Sequence, residues 1–100
     1  MSNYTVYISP ETFQAIKQLP GNMRQRIKKA VRELSNNPRP PESKRLNYPE
    51  FERELWRLRL DSWRIVYAIT EVDNIVDVLA VRKRPPYDYQ DLENLLEQLN

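Results

Sequence analysis

Hydrophobic residues along the first twenty positions change from strand-like to helix-like spacing. The segment from Asn3 to Ile8 is rich in β-branched and aromatic residues, which predicts a strand. Ser9-Pro10 follows as a helix N-cap and a first-turn proline. Apolar residues then recur on one helical face until Pro20-Gly21 breaks the pattern: Phe13, Ile16 and Leu19. A strand that passes directly into a first helix is therefore expected.

A second helical stripe follows the Pro-Gly break and predicts a helical hairpin. Its members lie at i, i+4, i+7, i+8 and i+11: Met23, Ile27, Ala30, Val31 and Leu34. The helix is expected to stop at Asn36-Asn37-Pro38, because a residue before proline is disfavoured in the α region. The proline-rich stretch from Arg39 to Pro49 is interpreted as an ordered loop.

The second half of the chain predicts three strands and a closing helix. Leu55–Leu60 and Trp63–Thr70 alternate strongly around Asp61-Ser62, which indicates a tight β-hairpin. Ile75–Arg82 predicts a third strand, and the leucines of Asp88–Leu99 recur at helical spacing. The order is βααβββα. We expect an α+β fold in which an N-terminal helical hairpin packs on a small, mainly antiparallel sheet, with a C-terminal helix.

Composition bounds the architecture and the chemistry. A chain of 100 residues is expected to form one domain over 1–100. It has no cysteine and no histidine, which excludes thiolate and imidazole chemistry, and no cofactor is expected. No apolar stretch approaches the roughly 20 residues of a membrane span, and no leader pattern stands at the N-terminus. A cytoplasmic protein without membrane association is therefore expected.

The basic residues are concentrated locally. Residues 1–50 contain 9 Lys/Arg against 4 Asp/Glu, whereas residues 51–100 contain 7 against 10. With a two-residue turn at Asp61-Ser62, Arg59 pairs with Arg64, and both lie with Arg57 on the face opposite the apolar residues. Like charges directly opposite each other destabilise a ladder. The pair therefore indicates a shared anion such as phosphate, the alternative being surface ion pairs with Asp61, Glu52 or Glu54.

A second basic cluster, Arg82-Lys83-Arg84, ends the next predicted strand and leads into Pro85-Pro86-Tyr87-Asp88-Tyr89. Guanidinium groups hold phosphates and tyrosine rings stack on unpaired bases, so the combination suits single-stranded RNA. By itself such a run is more often a solvated strand edge. Its proximity to the arginine hairpin favours RNA binding.

The hairpin Trp56-Arg57-Leu58-Arg59-Leu60-Asp61-Ser62-Trp63-Arg64-Ile65-Val66-Tyr67, followed by Ala80-Val81-Arg82-Lys83-Arg84 and a tyrosine, resembles the RelE/ParE toxin superfamily. The order of elements is similar over nearly the whole chain. The resemblance implies a toxin of a type II toxin–antitoxin system. In the RelE-like branch this is an mRNA interferase, an endoribonuclease that cuts mRNA in the ribosomal A site through attack of the RNA 2′-hydroxyl, inhibiting translation and arresting growth.

The resemblance also suggests site residues. Arg59, Arg64 and Arg84 would stabilise phosphate charge, and the terminal tyrosine falls on Tyr89 or Tyr87, with Tyr89 preferred. Lys83, either tyrosine, or Glu42 ahead of the basic segment would serve as general base, since arginine stays protonated. Further contacts to RNA backbone are expected from four cations: Lys44, Arg45, Arg57 and Arg82.

The sequence is also compatible with two other functions. The superfamily also contains ParE-like toxins that poison gyrase without cleaving RNA, and the chain would also fit a degenerate nucleic-acid-binding regulator. The expected partners are mRNA, the ribosome and a cognate RelB-like antitoxin. An acidic, amphipathic segment of that antitoxin would meet both the arginine cluster and the apolar stripe of Leu92, Leu95, Leu96 and Leu99.

Overall fold

The computed structural model describes residues 4–48 and 53–83. The helix expected at Asp88–Leu99 lies outside the described residues, as do Arg84, Tyr87 and Tyr89. The described elements are, in chain order, β1 (Thr5–Ile8), α1 (Pro10–Lys17), α2 (Gly21–Glu33), β2 (Ser43–Arg45), β3 (Glu54–Leu60), β4 (Trp63–Thr70), a 3₁₀ turn (Glu71–Asp73) and β5 (Ile75–Lys83). Within these ranges no helix combines the length and the apolar character required to cross a bilayer.

The strands form one five-stranded sheet in the order β1-β5-β4-β3-β2. β1 runs parallel to β5, and the other three pairs are antiparallel. The expected α+β class, with a helical hairpin on a mainly antiparallel sheet, is confirmed. The interpretation of 39–49 as loop alone was wrong, because Ser43–Arg45 forms an edge strand on β3.

The predicted hairpin register is confirmed from Leu60 opposite Trp63 through to Trp56 opposite Tyr67. Asp61, the first residue of the two-residue turn, has a φ of 53°. Aspartate tolerates this left-handed conformation better than most residues, which explains why a turn without glycine can close the hairpin.

α1 begins where the sequence indicated. The Ser9 hydroxyl accepts a hydrogen bond from the Thr12 backbone N–H at 3.2 Å and caps the helix. The buried Thr12 hydroxyl donates to the Leu79 carbonyl at 2.9 Å, which ties α1 to β5. Phe13 does not join the core as its spacing suggested: it is 46% exposed, and the Lys17 ammonium lies 5.3 Å from its ring centre.

Both helices pack on one face of the sheet and build the main core there. Its buried residues from the helices and the residues that directly follow them are Ile16, Leu19, Ile27, Val31 and Leu34, and those from the sheet are Leu58, Ile65, Tyr67, Ile69, Val76 and Val78. The opposite face, expected to be polar, also holds a small buried cluster of Leu55, Val66, Ala68 and Leu79. This second cluster occupies the half of that face remote from the Asp61-Ser62 turn, and cations occupy the half beside the turn.

The loop between α2 and β2 is anchored by polar contacts. The buried Tyr67 hydroxyl donates to the Pro38 carbonyl at 2.6 Å. Arg39 donates from Nη2 to Glu54 Oε2 at 2.7 Å and to Glu71 Oε2 at 2.8 Å, and Tyr4 donates to Glu71 Oε1 at 2.6 Å. These bonds join the loop to β3, β4 and the 3₁₀ turn, so they fix where β2 meets the sheet.

Candidate nucleic-acid interface

Three arginines from three neighbouring strands form a row across the sheet. Arg59 of β3 pairs with Arg64 of β4, and Arg64 pairs with Arg82 of β5. Residues paired across a ladder project to the same face, so the row lies on the face opposite the helices. The sequence predicted the Arg59–Arg64 pair, and the β4–β5 register extends it to Arg82.

A second pair of cations lies beside this row. Lys44 of the edge strand β2 pairs with Arg57 of β3. Together the two rows define the cationic face: Lys44, Arg57, Arg59, Arg64 and Arg82. Four of these residues were predicted to share a surface, three from the hairpin and Arg82 from the basic run at the end of β5. Lys44 lies on the same surface because β2 pairs with β3.

The five residues of the cationic face differ in how far they are exposed to solvent. Lys44 and Arg59 are exposed, while Arg57 and Arg82 are half-buried. Arg64 was expected to project freely beside Arg59, but it is only 7% exposed. Its Nη1 donates to the carbonyls of Asp61 at 2.9 Å and Trp63 at 3.0 Å. Arg64 therefore folds back on the hairpin turn, and Arg59 is the arginine of this pair that an anion can reach directly.

The described carboxylates that were expected to neutralise the hairpin arginines form ion pairs with other residues. Asp61 pairs with Arg26 of α2, and Glu54 pairs with Arg39. Glu52 lies outside the described residues. Among residues 4–48 and 53–83, no carboxylate lies within ion-pair distance of Lys44, Arg57 or Arg59. The positive charge of these three side chains is therefore available to an anionic ligand.

An open cleft of about 500 Å³ lies on the cationic face next to the hairpin turn. Its lining is Glu42, Ser43, Lys44, Arg57, Arg59 and Asp61. Glu42 therefore lines the same cleft as Arg59, which its expected role as general base requires. Ser43 was missed by sequence reasoning, and the signal was weak, because a serine in a proline-rich stretch gives no sign that it begins a strand.

Two predicted RNA contacts do not join this cleft. Arg45 pairs with Trp56, and Lys83 pairs with Trp63, which places both on the face that carries the helices. Since side chains alternate along a strand, Arg45 and Lys83 project away from Lys44 and Arg82. Lys83 is therefore badly placed to act as a base beside Arg59. Arg84, Tyr87 and Tyr89 lie outside the described residues.

Comparison with known proteins agrees with this architecture. A family model described as the ParE toxin of type II toxin–antitoxin systems matches residues 6–85. No individually curated protein matches the chain significantly. The family match therefore covers every described element except the first residue of β1.

Solved toxin structures share the fold at low sequence identity. An archaeal RelE–RelB complex from Pyrococcus horikoshii is 24% identical with a TM-score of 0.74, covering 83% of this chain and 97% of that one. A RelBE toxin–antitoxin complex from Mycobacterium tuberculosis is 22% identical (TM-score 0.68; 82% and 99%). The isolated E. coli RelE toxin is 18% identical (TM-score 0.66; 97% and 99%). With its helical hairpin, its antiparallel meander and the family match along most of its length, the chain belongs to the RelE/ParE superfamily of type II toxins.

Proposed function

We propose that this toxin is a ribosome-dependent mRNA endoribonuclease. The observation that carries the proposal is the cationic face, on which Lys44, Arg57 and Arg59 surround a cleft without a neutralising carboxylate within ion-pair distance among the described residues. Arg64 is stabilised by its bonds to the turn carbonyls, but the exposed Arg59 opposite it has no ion pair among the described residues to offset the repulsion between like charges on a ladder. A bound RNA phosphate offsets that repulsion and uses the bidentate geometry of arginine.

The chemistry requires no metal. The RNA 2′-hydroxyl oxygen attacks the adjacent phosphorus, the 2′-oxygen–phosphorus bond forms, and the bond from phosphorus to the 5′-oxygen breaks. A base removes the 2′-hydroxyl proton, and an acid protonates the leaving 5′-oxygen. Arg59 would contact the phosphate as negative charge builds on its oxygens. Arg64 would act indirectly, because its bonds to the turn carbonyls hold in place the hairpin backbone that carries Arg59.

Two kinds of side chain are candidates for the general base. The superfamily resemblance points to Tyr89 or Tyr87, and the geometry of the described residues points to Glu42, which lines the cleft with Arg59. Asp61 also lines the cleft, but its carboxylate pairs with Arg26. Single-turnover cleavage by Glu42→Gln, Tyr87→Phe and Tyr89→Phe variants would identify the base as the residue whose loss abolishes the chemical step.

We further propose a small antitoxin as the partner of this chain in the cytoplasm. The solved relatives from Pyrococcus horikoshii and Mycobacterium tuberculosis are toxin–antitoxin complexes. An acidic, amphipathic segment would be attracted by the cationic face and would block the cleft of Arg59. Coexpression of the small reading frame beside the toxin should restore growth, and failure of neighbouring frames to do so would count against a toxin–antitoxin pair.

Gyrase poisoning is the second candidate function, because the matching family model is the ParE toxin. The two functions separate on purified components. Incubation with programmed ribosomes followed by primer extension should show cuts within codons in the A site. Cleaved DNA in a gyrase assay, with intact mRNA on the ribosomes, would overturn the ribonuclease proposal and support the alternative.

A further inference from the structure

A second groove lies on the helix side of the hairpin, separated from the cleft of the cationic face by the end of β3. It encloses about 510 Å³ between α2, the 37–42 loop and β3. Glu42, Arg59 and Asp61 line both the groove and the cleft. The two depressions therefore share one rim.

Within residues 4–48 and 53–83, no strand covers the edge of the sheet at this rim. β2 begins at Ser43, opposite Leu58, so it leaves Arg59 and Leu60 of β3 unpaired on this side. Pro40 and Pro41 explain why β2 does not extend further toward the hairpin turn, because proline lacks the N–H that would continue the ladder. Instead the Ser43 N–H and hydroxyl bond the Pro40 carbonyl, at 2.9 and 2.6 Å, and turn the chain away. A polymer bound on the cationic face can therefore pass around this edge into the groove.

The lining of the groove differs from that of the cleft. Half of its lining residues are apolar: Ala30, Leu34, Pro40, Pro41, Leu58 and Leu60. Asn37 adds one polar group: its side-chain oxygen accepts from the Arg39 N–H at 3.1 Å, which leaves its amide N–H₂ as a donor. An apolar wall for the ring and a hydrogen-bond donor for its edge together suit a flat heteroaromatic ligand.

The charges at the groove do not favour a second phosphate. Of its three carboxylates, Asp61 pairs with Arg26, and Glu33 lies 4.0 Å from Lys29. Arg59 and Glu42 remain at the shared rim without an ion pair among the described residues. The groove thus offers apolar surface and hydrogen-bonding groups, and positive charge is concentrated on the cleft side.

We propose that the groove is a nucleobase subsite for the RNA strand whose phosphate lies in the cleft. The base next to that phosphate turns around the open edge of β3 and inserts between α2 and the two prolines. Arg59 then contacts the phosphate at the rim, and Asn37 contacts the base edge. The inference rests on the proposed RNA function and adds to it a place for an unpaired base, which is the part of RNA that carries sequence information.

The first test is a titration of the full chain with nucleoside 5′-monophosphates and with ribose 5-phosphate, followed by amide resonances in NMR spectra. Ribose 5-phosphate should shift Arg57 and Arg59 alone. The monophosphates should shift these and also Ala30, Asn37 and Leu60. Identical shifts for the two ligands would overturn the nucleobase subsite and leave the phosphate site intact. Groove shifts without shifts at Arg57 and Arg59 would overturn the phosphate site instead.

The second test fills the groove. Ala30→Phe should weaken monophosphate binding about tenfold, a stacking contact being worth on the order of 1–3 kcal/mol. It should leave ribose 5-phosphate binding unchanged. Gln25→Phe, at an exposed position of α2 outside the groove lining, is the matched control. If Ala30→Phe fails to fold, Ala30→Leu replaces it. Equal monophosphate affinity in the filled and control variants, or protection of the groove only by an antitoxin peptide, would overturn the subsite.

Discussion

At the scale of single residues, burial distinguishes arginines that share one face of the sheet. Alternation along β3 and β4 correctly assigned Arg59 and Arg64 to that face. Alternation reports only direction, so it could not reveal that Arg64 is 7% exposed and bonded to the turn carbonyls. The same limit applies to Phe13, whose helical spacing suggested the core although its ring is 46% exposed.

The exposed and the buried arginine should respond differently to removal. Arg59→Ala should abolish cleavage on programmed ribosomes with little change in melting temperature, because Arg59 is exposed and has no described ion pair. Arg64→Ala should also lower the free energy of unfolding by about 1–3 kcal/mol, since two carbonyls lose a charged donor. Cleavage assays and thermal denaturation measure both effects.

Arg32→Ala is the control for this pair, because Arg32 is an exposed arginine of α2 remote from the cationic face. It should retain both activity and stability. A folded Arg59→Ala variant with full cleavage activity would remove Arg59 from the site. A fully stable Arg64→Ala variant would show that its bonds to the turn carry no stability.

At the scale of elements, local signals predicted some parts well and others poorly. The hairpin register followed from strict alternation around a two-residue turn, and α1 followed from Ser9-Pro10. β2 was missed because Ser43–Arg45 contains no β-branched or aromatic residue and its pairing with β3 depends on contacts distant in sequence. The cleft depends on β2, and the groove depends on the 37–42 loop before it, so the sequence could locate neither.

The bond between Tyr67 and Pro38 should be a main determinant of where the loop before β2 lies. Tyr67→Phe should lower the free energy of unfolding by about 1–2 kcal/mol, because the ring still fills the core but the Pro38 carbonyl loses its donor. Burial raises the pKa of Tyr67 to about 12. A raised folded-state pKa gives stability that is present below the unfolded value of 10.0 and lost as pH rises toward 12.

Chemical denaturation between neutral pH and strongly alkaline pH tests both parts of this expectation. The Tyr67→Phe variant should be less stable at neutral pH and should lose less stability at alkaline pH than the parent chain. Tyr7→Phe, at an exposed tyrosine of β1, should match the parent. Equal alkaline loss in the parent and in Tyr67→Phe would mean that another group controls that transition.

At the scale of the whole molecule, carboxylates that join separate elements should control acid stability. The Arg39 guanidinium lowers the pKa of Glu54, and the Tyr4 hydroxyl together with Arg39 lowers the pKa of Glu71. A depressed folded-state pKa gives stability that is present above the unfolded value of 4.5 and lost as pH falls through the folded value. The chain should therefore lose stability below about pH 4.5.

Glu54→Gln should flatten this acid limb in a pH series of unfolding free energies, because the variant has no proton to take up at that position. Asp77 acts with the opposite sign: burial raises its pKa, so protonation of the folded state relieves a cost as pH falls. Asp77→Asn should therefore steepen the net acid loss. An unchanged acid limb in Glu54→Gln would show that the contact between Arg39 and Glu54 adds no pH-dependent stability.

The charge distribution of the whole molecule should determine how RNA binding depends on salt. Net charge is only +2, yet Lys44, Arg57 and Arg59 are gathered around one cleft. Each phosphate neutralised on single-stranded RNA contributes a slope of about −0.7 to log K against log salt, so three such contacts give roughly −2. Binding of a short single-stranded RNA, measured by fluorescence anisotropy from low to physiological salt, should show this slope.

Arg59→Ala should reduce the magnitude of the salt slope by about 0.7, and Arg32→Ala should leave it unchanged. Equal reductions in both variants would mean that RNA responds to overall charge and does not occupy the cleft, whereas a slope near zero in the parent would exclude phosphate contacts by the cationic face.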